Sequence, residues 1–154
     1  MNIDDIYKLF LNIKNEGCTE ISSTLNLKHK MLSYINNNES IKSSVTASIS
    51  ENNFTINFTL FNLKLECNES IKLYDCPPIV ASCMELHFFF RENETIHSVL
   101  KIYITSDGYI MKNVFVTQDI CKTNNEHRGK KVFDEILSSL IDKGYVVLKP
   151  DQIA

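Results

Sequence analysis

The chain predicts an α+β fold: an antiparallel β-meander of about six strands, covered by N-terminal and C-terminal helices and finished by a short final strand. Three observations lead there. Apolar residues recur every three or four positions at the two ends, from Ile3 to Ile13 and from Val132 to Ile141. Between Ile41 and Thr117 the period changes to two, with no helix-length pattern. Asp107-Gly108, a dipeptide favoured in two-residue hairpin turns, sits between two β-rich runs. Helices at the ends of a run of hairpin-connected strands define the α+β class.

The first helix is carried by Ile3, Ile6, Tyr7, Phe10 and Ile13, with Asn2 as N-cap and Gly17 as stop. Asp4 and Asp5 fall in its first turn, where they complement the helix dipole. Residues 21–37 hold Leu25, Met31, Leu32 and Ile35 at loose helical spacing, which leaves their assignment open. Ile41 to Ile49 and Phe54 to Leu60 alternate on either side of a turn at Glu51-Asn52-Asn53. The apolar phase then slips to Phe61, Leu63 and Leu65, which predicts a β-bulge near Leu60-Phe61. Ile71–Tyr74 reads as a short strand broken by Cys76-Pro77-Pro78.

Met84 to Arg91 and Ile96 to Thr105 form the next hairpin, turning at Glu92-Asn93-Glu94. A two-residue turn at Asp107-Gly108 then pairs Ser106 with Tyr109, Ile104 with Met111, Ile102 with Asn113 and Leu100 with Phe115. The last helix starts near Gly129 on the stripe Val132, Phe133, Ile136, Leu137, Leu140 and Ile141, and stops at Gly144. Tyr145–Leu148 follows as the final strand.

With 154 residues, 44% hydrophobic and 23% charged, and no composition shift, the chain reads as one domain spanning residues 1–154. Such a length buries roughly 70% of the unfolded surface. The net charge of −3 is the wrong sign for a general nucleic-acid binder. The acidic start Met1-Asn2-Ile3-Asp4-Asp5 lacks the basic, then apolar, order of a secretory leader, so the chain reads as cytoplasmic and without a membrane span. On that reading the five Asn-x-Ser/Thr sequons, at Asn38, Asn53, Asn57, Asn68 and Asn93, are not glycosylated. Five cysteines, odd in number and without a Cys-x-x-Cys pair, fit reduced thiols and no metal site.

The four glycines are each used at a helix end or turn, leaving none for a phosphate cradle, and no cofactor is called for. Cys83 and His87 could be drawn as a nucleophile and base, but four residues apart on a strand they share a face without touching. His87, His97 and Glu85 could make a small polar site across a hairpin. Two charged features remain. Between residues 66 and 94, Glu66, Glu69, Asp75, Glu85, Glu92 and Glu94 outnumber Lys72 and Arg91; of these Glu85, Glu92 and Glu94 are the first candidates for partner contact and Glu66 and Glu69 the second. Lys122, Arg128, Lys130 and Lys131 surround the start of the last helix and are the candidate anion site.

The run His127-Arg128-Gly129-Lys130-Lys131-Val132-Phe133, between a strand and an apolar helix that leads to a further strand, resembles the acetyl-CoA-binding segment of the N-acetyltransferase family. That likeness implies a transferase whose basic loop holds pyrophosphate. It covers about 40 residues, and Lys131 and Phe133 occupy the positions where the family's Arg/Gln-x-x-Gly-x-Gly/Ala motif has small residues. A compact acidic α+β domain is also similar in general character to bacterial immunity proteins, which implies a non-catalytic inhibitor whose partner is a basic toxin domain. Without cofactor motifs or a triad, the binding protein is the preferred expectation and the enzyme the alternative.

Overall fold

The computed structural model describes residues 2–16, 19–51, 53–76, 79–115 and 118–147. Among these, three helices accompany a seven-stranded antiparallel sheet whose spatial order is the chain order. The α+β class therefore holds.

Helix α1, Ile3–Glu16, begins as its sequence dictates: the Asn2 side-chain oxygen accepts the Asp5 amide at 3.0 Å. The described part of its apolar stripe, up to Phe10, does not enter the core. Ile3, Tyr7 and Phe10 are each more than half exposed, although α1 packs beside a central strand. Gly17, the proposed stop, lies outside the described residues. Helix α2, Thr19–Asn37, supplies the core instead, with Leu27, Met31 and Ile35 wholly buried. Its buried stripe also contains Glu20, Thr24 and Lys28, so polar residues share the inner face and blur the period.

Strands β1, Val45–Ser50, and β2, Asn53–Phe58, form the first hairpin. Residues 41–44 are a turn rather than strand, because the amides of Ser44 and Val45 both return to the Ile41 carbonyl. The expected bulge near Leu60 is a chain reversal instead. A single 3₁₀ turn, Thr59–Phe61, ends in Asn62 at φ 51°, a left-handed conformation that asparagine tolerates, and a new strand starts. That strand, β3 (Leu63–Cys76), is 14 residues long and absorbs the short strand expected at Ile71–Tyr74. It pairs with the equally long β4, Ile79–Glu92, from Glu66↔Phe89 to Cys76↔Ile79. Pro77 and Pro78 lie outside the described residues.

Strand β5, Thr95–Thr105, returns through Asn93 and Glu94, both at positive φ, the backbone of a type I′ turn. A bulge shifts the β4–β5 register between Phe88 and Phe89, so that Val99 and Leu100 are both buried. The next turn differs by one residue from the sequence expectation. Strand β6, Tyr109–Asn113, pairs Ile104 with Ile110 and Tyr103 with Met111, leaving a three-residue loop with Gly108 at φ 93°. Thr105 is the reason: its carbonyl accepts the Gly108 amide, while its hydroxyl accepts the Tyr109 amide and donates to the Asp107 carboxylate. The pairs expected for Asn113 and Phe115 do not form. The chain instead turns back there into strand β7, Gln118–Lys122, beside β6.

Helix α3, Arg128–Asp142, buries Gly129, Val132, Phe133, Ile136 and Leu140. It ends in a Schellman motif, in which the Gly144 amide bonds the Ile141 carbonyl and the Tyr145 amide bonds that of Leu140. The same motif curls Tyr145 and Val146 back over the helix end, so Tyr145–Val147 forms no strand; Leu148 lies outside the described residues. The apolar residues of the strands close the core under α2 and α3, with Phe133 stacked on Phe58 at 6.2 Å and Tyr34 edge-on to Phe133 at 6.0 Å. No described helix is long and apolar enough to cross a membrane.

Candidate binding cleft

Strand alternation sorts the candidate carboxylates onto different surfaces. Glu69 turns under the sheet to pair with Lys28 of α2. Glu85 lies on the opposite face between Lys72 and Lys101, each at 3.8 Å. Glu66, on the same outer face, holds the Arg91 guanidinium at 2.9 Å, and Arg91 also lies 5.4 Å from the Phe89 ring centre. Glu92 and Glu94, at the β4–β5 turn, are exposed and have no ion-pair partner among the described residues. The five acids therefore do not form one continuous acidic sheet face. What survives as an open negative feature is the hairpin end.

A cleft of about 750 Å³ adjoins that end. One wall is the β2–β3 reversal, with Phe61 and Leu63; another is the end of β4, with Phe90, Arg91 and Glu92; Gly144 and Tyr145 close it from the C-terminus of α3. Phe90 stacks on His97 at 4.9 Å and meets Tyr145 edge-on at 4.8 Å, and the Tyr145 hydroxyl donates to the Ser98 carbonyl at 3.3 Å. The aromatic corner is thus held from two sides before any ligand arrives. Two sequence candidates, Glu66 and Glu92, line the cleft, whereas Glu94 stands at the turn next to it. Phe61, Phe90 and Tyr145 were not candidates. The off-phase Phe61 and a tyrosine directly after the C′ glycine were their only traces in the sequence.

The chemical alternatives are dispersed. His87 bonds the Ser98 hydroxyl at 2.9 Å on the outer face, whereas His97 stacks on Phe90, a core residue, so the two histidines and Glu85 do not converge. Burial, with Glu85 and Glu20 adding to it, pushes the Cys83 thiol up to about 11, away from the thiolate a nucleophile needs. Cys83, Glu85 and Tyr103 do line a second groove, of about 520 Å³, under the β6 end. Beneath the sheet, burial lowers the Lys28 ammonium and pushes the Cys67 thiol up to about 12, the Lys28 charge opposing the latter.

At the start of α3 two of the four basic residues bond local partners. Lys130 donates to Asp134 at 2.6 Å, and that bond raises its pKa; Arg128 Nη1 donates to the Asn125 carbonyl at 2.8 Å. Lys122 ends β7, and Lys131 is exposed on the helix. Gly129 has a packing role there: a Cβ would lie 2.6 Å from the Lys30 carbonyl. Its lack of a side chain lets α3 cross α2, which accounts for the glycine without a pyrophosphate. Compared with known protein families, curated proteins and solved structures, the chain matches none.

Proposed function

We propose that this chain is a non-catalytic protein-binding domain of the immunity-protein kind, which neutralises a basic toxin domain in the cytoplasm by engaging it at the β4–β5 hairpin end. The observation that carries this reading is the cleft beside Glu92 and Glu94, where exposed carboxylates and an aromatic corner meet at one end of the sheet's inner strands. Carboxylates placed where a basic partner expects phosphate speed encounter and reject wrong partners. A hairpin end tolerates charge without disturbing the core, so such a surface can be tuned independently of folding. Raised thiol pKa values at Cys67 and Cys83 fit structural cysteines in a reducing compartment.

Native mass spectrometry of the protein recovered from its own host tests the reading, with a Glu92→Lys/Glu94→Lys variant in parallel. A stoichiometric basic protein that is retained by the wild type and lost by the variant supports it. A retained small-molecule cofactor, or a partner indifferent to both reversals, overturns it.

A further inference from the structure

We infer that helix α1 is a self-association surface, on which a second copy of this chain packs its own α1 in antiparallel orientation. The helix is only half covered by its own chain. Ile6 and Leu9 are half-buried where α1 packs beside β4, whereas Ile3, Tyr7, Phe10 and Leu11 are 68%, 66%, 55% and 56% exposed. At about 100° of turn per residue, the exposed four fall in one arc of roughly 100° that no charged residue between 3 and 11 enters. A helix of 14 residues is held mainly by the packing of its apolar face, so a ridge left in water is a helix held on one side alone.

Size and charge select a second copy as the occupant. Two aromatic and two aliphatic side chains, each more than half exposed, offer on the order of 500 Å² per chain, so a symmetric pair reaches the ~1,000 Å² that a specific interface must clear. Asp4 and Lys8, both exposed, stand one turn apart along one flank of the ridge. In an antiparallel two-fold pair that flank faces the same flank of the copy in reverse order. With the axis near Tyr7, Ile3 then meets Phe10 of the second copy, and Asp4 meets Lys8 of the second copy, twice by symmetry. A parallel pair would set Asp4 and Lys8 against the opposite flank, which carries the half-buried Ile6, and would align the two helix dipoles unfavourably. The contact is isologous, so it closes at two copies and any larger species arises elsewhere.

The test is sedimentation velocity of the full chain over a wide range of concentration. The wild type is expected to pass from one copy to two as concentration rises, and Tyr7→Glu, a change at an exposed site, to stay single. Lys8→Asp should weaken the dimer roughly tenfold, because two exposed ion pairs become repulsions. Asp4→Asn should weaken the wild-type dimer but strengthen that of Lys8→Asp, a reversal of sign that apolar contact alone does not produce. A wild type that stays single at every concentration, a dimer indifferent to Tyr7→Glu or to Lys8→Asp, or an Asp4→Asn effect of the same sign in both backgrounds overturns the inference. Each of these results is obtained without the natural partner, so none of them bears on the protein-binding reading.

Discussion

The side-chain amide of Asn36 makes with Ala47 the two hydrogen bonds that a neighbouring strand would make: Nδ2 donates to the Ala47 carbonyl and Oδ1 accepts the Ala47 amide, both at 2.9 Å. Strand β1 is an edge of the sheet, and an open edge is a template for pairing with another chain. The last turn of α2 caps that edge. Because the Val45 amide is also taken, by the Ile41 carbonyl, strand addition at this edge is blocked where it would start.

Replacing Asn36 with Ala should therefore do two things. Loss of the paired bonds should cost about 1–3 kcal/mol, the range for leaving partly buried backbone groups unsatisfied, and the freed edge should make association concentration-dependent. Urea unfolding and sedimentation velocity measure the two effects. An unchanged midpoint with no association would mean that the amide contributes nothing to the edge.

Gly129→Ala separates helix propensity from packing. An exposed helix interior gains about 1 kcal/mol from this change, but here the added methyl meets the Lys30 carbonyl at 2.6 Å, against backbone that cannot swing aside. Destabilisation of about 1–3 kcal/mol is expected, as for an overpacked core. A stabilised variant would show that α2 and α3 can separate at no cost.

Gly108→Val tests the three-residue turn. At φ 93° a β-branched residue is strained, so a loss of ~1 kcal/mol or more is expected on thermal unfolding. In α3 the decisive core position is Ile136, wholly buried, rather than the half-buried Leu137. Ile136→Ala should cost about 2–5 kcal/mol and Leu137→Ala clearly less. Equal losses would mean that the helix docks through a wider face.

The buried thiols give alkaline stability a definite sign. Cys67 titrates at about 12 in the fold, against 9.0 for an ordinary thiol, so between those values the folded chain holds a proton that the unfolded chain has released. Stability contributed by the neutral thiol is complete below pH 9 and falls as pH rises toward 12, by at most ~1.4 kcal/mol per pH unit for each such group. Cys83, at about 11, adds to the lower part of the same window. Urea titrations at pH 8 and pH 10.5 should show a smaller pH difference for Cys67→Ala than for the wild type. An identical difference would place the alkaline loss elsewhere, for example on Tyr103, whose hydroxyl is also raised by burial and by Glu85.

What the sequence by itself determined is local. The period of two makes strands of 45–113, the period of 3.6 makes α3, Gly144 ends that helix, and Asn2 caps α1, because each depends on residues within one or two turns of chain. Tertiary structure decided what depends on distant partners. The inner face of α2 carries Glu20 and Lys28, whose burial is offset by distant partners that include Ser82 and Glu69 on the sheet, so no sequence period could announce this helix as central. The phase slip at Leu60 fits a bulge or a reversal equally well, and Phe58 packed on Phe133 selects the reversal that starts a new strand. The cleft follows the same rule. Glu66 and Glu92 were legible as charges, but Phe61, Phe90 and Tyr145 come together only because the β2–β3 reversal, the end of β4 and the end of α3 meet at one corner of the sheet.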